Sequence, residues 1–167
     1  MDNIYYRTRR EASARNARLS SRERTAEMLG ISSSTLANYE LGVTKIIPPD
    51  AVVLMSNLYS APELMNNYCA RDCPIGRGLP IPTEPGGIES TTVKLMKAFS
   101  APMIEEAKTR LLDVSNDGKL TTENYPHFAW LLSYFDGLAK TIGELRLVCH
   151  KLLAEGGIND KRWYAQS

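Results

Sequence analysis

Ser21 to Gly42 reads SRERTAEMLGISSSTLANYELG, and two glycines punctuate it. A helix opening at the capping box Ser20-x-x-Glu23 runs to Gly30, the residue type best able to take the left-handed conformation that ends a helix. Ser32 can cap a second helix that continues to about Leu41 and stops at Gly42. Ala26 is small where the second helix must cross the first closely. Ile31 and Leu36 are apolar where the crossing must be dry. Ala26, Gly30, Ile31 and Leu36 thus form the expected core of a helix-turn-helix.

Outward from this pair the helical pattern continues. Ile4 to about Asn16 makes a helix with Tyr5, Tyr6, Arg9 and Ala12 near one face. Asp50, after Pro48-Pro49, can cap a further helix whose Val53, Leu54 and Leu58 face inward. A second capping box, Ser60-x-x-Glu63, opens a short helix through Tyr68. Residues 1–73 are therefore expected to form a five-helix unit. Residues 74–88, PIGRGLPIPTEPGGI, hold four prolines and four glycines, which disfavours regular structure and marks a linker.

Residues 89–167 show two long helical patterns. Val93, Met96, Phe99, Met103, Ala107, Leu111 and Val114 recur every three or four residues, and Pro102 inside the run means either a kink or a fresh start capped by Ser100. Phe128, Leu131, Phe135, Leu138, Ile142, Leu145, Cys149 and Leu152 form an unbroken heptad seam, broadened by Leu132, Val148 and Leu153. The seam can close a hairpin within one chain, pair two chains, or do both. No run of alternating strand residues is convincing. The expected fold is all-α: a five-helix N-terminal unit, then a long-helix hairpin or bundle.

The string LGIS…TL..YE.G is carried by Ala26, Glu27, Leu29, Gly30, Ile31, Ser32, Thr35, Leu36, Tyr39, Glu40 and Gly42, with Pro48 in the following loop. On these residues the stretch from about Tyr5 to Tyr68 resembles the Cro/CI-type (XRE) DNA-binding domains of phage repressors and bacterial regulators. It departs from them at Thr25, where leucine is usual, at Leu41, where a polar or basic residue is usual, and in a longer Ala12–Leu19 link. The resemblance implies a lambda-repressor-like helix-turn-helix domain whose second helix enters the major groove of double-stranded DNA. It implies base contacts from Ser33, Ser34 and Asn38, and phosphate contacts from Arg22, Thr35 and Lys45. Asn38 carries the amide that a bidentate contact to adenine needs, whereas serine hydroxyls discriminate less. The string Tyr68-Cys69…Cys73-Pro-Ile-Gly also resembles the stretch following the DNA-binding domain in regulators from mobile elements of low-GC Gram-positive bacteria.

Charge agrees with an anionic partner at the N-terminal end. Twenty Lys+Arg against nineteen Asp+Glu leave a net charge of +1. Residues 1–47 hold eight basic and five acidic residues, a local +3, whereas residues 78–167 hold ten basic and eleven acidic, or −1. Two hydroxyls and one amide read little, about 1–3 kcal/mol per good bidentate contact. A homodimer on a palindromic operator is the expected remedy, with repression as the economical mechanism. The alternatives are an adaptor or inhibitor whose C-terminal helices bind another protein, and a sensor holding a small ligand between those helices.

Other chemistry has weak support. Asp113-x-Ser115-x-Asp117-Gly118 resembles the start of a calcium loop, yet its twelfth position is Asn124 instead of a bidentate glutamate. Cys69 and Cys73 could begin a zinc site, but Cys149, His127 and His150 are scattered through the other unit. No nucleophile motif, phosphate loop or carboxylate cluster is present, so neither an enzyme nor a cofactor is expected. The chain has no stretch apolar enough for a membrane span and no secretory leader pattern at Met1 to Tyr6. A cytoplasmic protein, at the nucleoid when DNA-bound, with reduced cysteines is the expectation.

Overall fold

A computed structural model describes residues 3–117, 119 and 121–156. Among these residues every regular element is helical and no strand occurs. The α-helices are α1 (Ile4–Ser13), α2 (Arg22–Leu29), α3 (Ser33–Glu40), α4 (Pro49–Tyr59), α5 (Glu63–Arg71), α6 (Ile88–Ala98), α7 (Ala101–Asp117) and α8 (Tyr125–Glu155). Short 3-10 helices lie at Ala17–Ser20 and Gly76–Gly78. No helix among the described residues is long and apolar enough to cross a membrane.

The first five helices enclose one apolar core that includes Tyr5, Leu19, Ala26, Leu36, Val52, Met55, Tyr59 and Leu64. Three of its helix ends turn by the same device. After α2, Gly30 N–H donates to Glu27 O and Ile31 N–H to Ala26 O, with Gly30 at φ 68°. After α3, Gly42 N–H donates to Tyr39 O and Val43 N–H to Asn38 O, with Gly42 at φ 71°. After α4, Ser60 N–H donates to Asn57 O and Ala61 N–H to Ser56 O. Each is a Schellman ending, which satisfies carbonyls that the helix leaves free and reverses the chain.

Several helix boundaries differ from the sequence expectation. Ser21, not Ser20, caps α2, because the 3-10 helix takes Ser20, whose hydroxyl donates to Ala17 O. Ser60 opens nothing; it closes α4 in the left-handed region at φ 53°. α5 then starts at Glu63 and runs past Tyr68 to Arg71. Asp50 lies in the first turn of α4 rather than at its cap. The inward stripe of α4 is Val52, Met55, Ser56 and Tyr59, while Leu54 is exposed.

α6 and α7 follow one another along α8, with a break at Phe99 and Ser100 and with Pro102 in the first turn of α7. Lys94 reaches Glu144 at 2.8 Å, Tyr134 OH donates to Ala98 O, and the Asp113 carboxylate lies 3.1 Å from His127 Nδ1. These pairs fix α8 antiparallel to both. Arg110 stacks over Trp130, which stacks in turn on Tyr134. The Val93–Val114 stripe is only partly inward: Ala107 and Val114 are buried, but Val93, Met96, Phe99 and Leu111 are exposed. The seam divides likewise. Leu131 is buried, Phe128, Leu138 and Leu145 are half-buried, and Phe135, Ile142, Cys149 and Leu152 are largely exposed. The face that meets α6 and α7 is rotated toward Leu131, Tyr134, Leu138 and Val148, because a 31-residue straight helix drifts away from a strict heptad line. Asp117 closes α7, and Asn124 organises the turn into α8 by accepting from Thr121 N–H and donating to Lys119 O. Gly118 and residues 157–167 lie outside the described residues.

The Pro/Gly segment has the irregular backbone expected of it only over residues 79–87, since a 3-10 helix takes Gly76–Gly78 and α6 starts at Ile88, and it is not a free tether. Asn66 Nδ2 donates to Pro82 O at 2.8 Å and Asn67 Nδ2 to Thr83 O at 2.6 Å, which bolts the segment to α5. On its other side Pro82 rests on Gly143 of α8, so closely that a Cβ there would lie 2.9 Å from the proline ring. Lys151 of α8 completes the strap by approaching buried Glu63 at 3.7 Å. Just upstream, Gly76 lies against the Cys69 carbonyl, where a Cβ would come within 2.0 Å of the oxygen, so the Cys-Pro-Ile-Gly string needs glycine for close packing.

Candidate nucleic-acid interface

α2 and α3 meet through the Gly30 turn, with Ala26 and Leu36 buried between them and Ile31 half-buried at the edge. α3 begins at a dense hydroxyl knot. Ser32 Oγ accepts from Thr35 N–H at 3.0 Å and lies 2.7 Å from Thr35 Oγ1 and 2.9 Å from Ser34 Oγ. Ser33, Ser34 and Asn38 are exposed on this helix, and Ser34 and Asn38 share a face one turn apart. All three expected base-reading side chains are therefore exposed, Ser34 and Asn38 on one face and Ser33 offset from it, with part of Ser34's capacity taken by the cap. Thr35 is half-buried and its hydroxyl turns to Ser32. Lys45 is exposed in the loop after α3, beside exposed Leu41, Val43 and Ile46.

Arg22 is partly engaged within the protein. Its Nε donates to Glu40 Oε2 at 2.9 Å. Glu40 also takes a bidentate pair from Arg9, Nε to Oε1 and Nη2 to Oε2. The Arg9 and Glu40 side chains are 3% and 1% exposed, and Arg22 is the partly open member at 37%. Arg9 Nη1 further donates to Leu19 O at 2.7 Å and to Ser20 O at 3.3 Å. Burial opposes the Arg9 charge, but the hydrogen bond and the charge of Glu40 outweigh it and hold the guanidinium above its ordinary value. One carboxylate at the end of α3 therefore ties that helix to α1, to the 3-10 helix and to the start of α2. The motif letters place Glu40 in sequence, but nothing in the spacing reveals that Arg9 and Arg22 converge on it.

Glu23, in the first turn of α2, is held below the usual carboxylate range by its own backbone N–H and by the Ser21 hydroxyl, 2.8 Å away. Arg7, Arg10, Arg18 and Arg24 are exposed on the same unit, so its local positive charge faces outward. Burial, then neighbouring Cys73, pushes the Cys69 thiol up, which works against the paired thiolates that a metal would need. Among the described residues no group of three or more His, Cys, Asp or Glu side chains is arranged to hold a metal. Comparison of the chain with protein-family models, with curated proteins and with solved structures finds no match.

Proposed function

We propose that this chain is a sequence-specific DNA-binding regulator of helix-turn-helix type that works as a homodimer on a palindromic operator and represses by blocking access to the promoter. The observation that carries the reading is the outward surface of α3. Ser33, Ser34 and Asn38 stand exposed at the start of a short helix that a buried Arg9–Glu40–Arg22 network braces from behind. Groups that read base edges must be both exposed and held in place, since a loose side chain loses in ordering what it gains in contact. Asn38 supplies the bidentate donor and acceptor, and the two serines add weaker discrimination. Lys45 and the partly open Arg22 supply phosphate contacts, Arg22 through the nitrogens that Glu40 leaves free. Thr35 serves the helix start, and any phosphate contact from it competes with Ser32. No catalytic role is assigned to any residue.

The test is selection of bound duplexes from a random pool, followed by Asn38→Ala. The selected site should contain two symmetry-related halves. Asn38→Ala should weaken binding to it by about 5- to 150-fold, the equivalent of one bidentate contact, while weak binding to random DNA and its salt slope stay as they were. No preference for any duplex over scrambled competitor refutes the regulator reading. Equal loss on random DNA refutes the role of Asn38.

A further inference from the structure

We infer that the junction between the five-helix unit and the hairpin holds a binding site for a small organic ammonium ion, with an alkyl diamine as the matching class. The inference goes beyond the DNA reading and does not depend on it.

Four elements enclose a cavity of about 300 Å³ at this junction, with α1 and α5 on one side and the strap at residues 83–85 and α8 on the other. That volume lies at the lower end of the range for small-ligand sites. Its floor is Glu63, whose side chain is 6% exposed. Lys151 approaches Glu63 Oε1 at 3.7 Å, near enough for attraction between charges but too far for a hydrogen bond. Glu63 Oε2 is buried and has no protein hydrogen-bond partner. A buried carboxylate with an unmatched oxygen is costly, and the group that relieves it is a cationic donor. Rotation about the last bond of the side chain, a soft two-fold torsion, turns either oxygen toward the cavity.

The rest of the wall selects the occupant. Glu11 and Glu84 stand exposed at the mouth, on α1 and on the strap, and Arg7 pairs with Glu11 only loosely, at 3.9 Å. With Glu63 they set three carboxylates against two bases, Arg7 and Lys151, so an anion is repelled on balance. A metal ion does not fit, because among the described residues no three such side chains are arranged to hold one. An ammonium group needs no such convergence. It brings three donors of its own on a compact charge, and a flexible chain can carry a second one to carboxylates set apart from the first. One end of a diamine meets Glu63 at the floor, and the other reaches the mouth at Glu11 and Glu84. Such an occupant touches both helical units at once, so its binding reinforces the strap that joins them.

Isothermal titration of the full chain with putrescine, a four-carbon diamine, at neutral pH and fixed ionic strength tests the inference. Binding should saturate at one molecule per chain with a Kd below about 1 mM. The four-carbon diol, alike in length but uncharged, should give no saturable heat. Glu63→Gln should weaken binding by about 10- to 150-fold, the loss of a charge-assisted hydrogen bond. Because that change could disturb α5, Lys151→Met serves as the second arm. It removes the competing base and should tighten binding, whereas Lys140→Met, the same charge change on an exposed turn of α8, should not. No saturable binding, equal binding of the diol, or an affinity of Lys151→Met no better than that of Lys140→Met overturns the inference. Displacement of putrescine by equimolar magnesium at matched ionic strength overturns the choice of ligand class. None of these readouts involves DNA, so the regulator reading stands or falls separately.

Discussion

Replacing Glu40 with glutamine removes one charge and no volume, and the structure sets the size of the effect. The carboxylate is 1% exposed and receives three charge-assisted hydrogen bonds, two from Arg9 and one from Arg22. Arg22 can turn to water. Arg9 cannot: its side chain is 3% exposed, and it would keep only neutral partners, one amide oxygen at position 40, the Leu19 and Ser20 carbonyls and the Tyr6 ring. Stranding a buried guanidinium costs about 3–5 kcal/mol, a large share of the roughly 5–15 kcal/mol that holds a domain folded. Urea unfolding of the full chain, followed by circular dichroism at neutral pH, should show the midpoint falling accordingly. Arg9→Met combined with Glu40→Leu should recover most of the loss, since it removes both charges together. A loss below about 1 kcal/mol for Glu40→Gln would refute the reasoning, because Arg9 would then have access to water or another anion.

Tyr59 bears a buried hydroxyl without a protein hydrogen-bond partner, and burial followed by the nearby Glu40 charge holds its ionisation well above the ordinary tyrosine value. Tyr59→Phe should therefore raise stability by about 1 kcal/mol. It should also shrink the alkaline limb. The neutral ring's contribution is complete below about pH 10, and it is lost as pH rises further because the unfolded chain releases the proton while the folded chain keeps it. Tyr5, shifted the same way by burial and then by Asp72, should retain part of that limb; urea midpoints on either side of about pH 10 check both. Ser60→Gly should gain about 0.5–1 kcal/mol by relieving a left-handed non-glycine residue, read from the same melts. Gly137→Ala in α8 has open space and should gain about 1 kcal/mol. Gly143→Ala in the same helix should instead destabilise, since its Cβ would meet Pro82 at 2.9 Å and the bolted strap cannot yield.

What was legible in the sequence is what local chemistry decides. Gly30 and Gly42 announce their helix ends because few other residues take φ near 70° readily, and Ser32 announces its helix because its hydroxyl caps it. The same logic misread Ser60-x-x-Glu63. A serine with a glutamate three residues on fits a capping box, but the packing of Tyr59 and Ala61 into the core drives Ser60 into the left-handed region instead. Periodicity gave α8 its length but not its inward face, which depends on where α6 and α7 lie. Of the candidate site, the exposure of Ser33, Ser34 and Asn38 on their helix could be read from the sequence, while their proposed roles and that of Lys45 rest on the resemblance. The Arg22–Glu40 contact could not be read, because it depends on three helices converging over thirty residues of chain.

The bolted segment between α5 and α6 bears on how the molecule can be dissected. Cutting the gene at Cys73 would keep the apolar core of the first five helices but strip α5 of its partners in the strap and α8. Glu63 would lose Lys151, the Asn66 amide would lose Pro82 O, and the Asn67 amide would lose Thr83 O and keep only Glu63 O. Proline-rich and glycine-rich joints usually invite proteases, yet this one has its backbone occupied around Pro82 and Thr83, so digestion should nick elsewhere first. A truncated fragment would be a different object from the same residues in the whole chain.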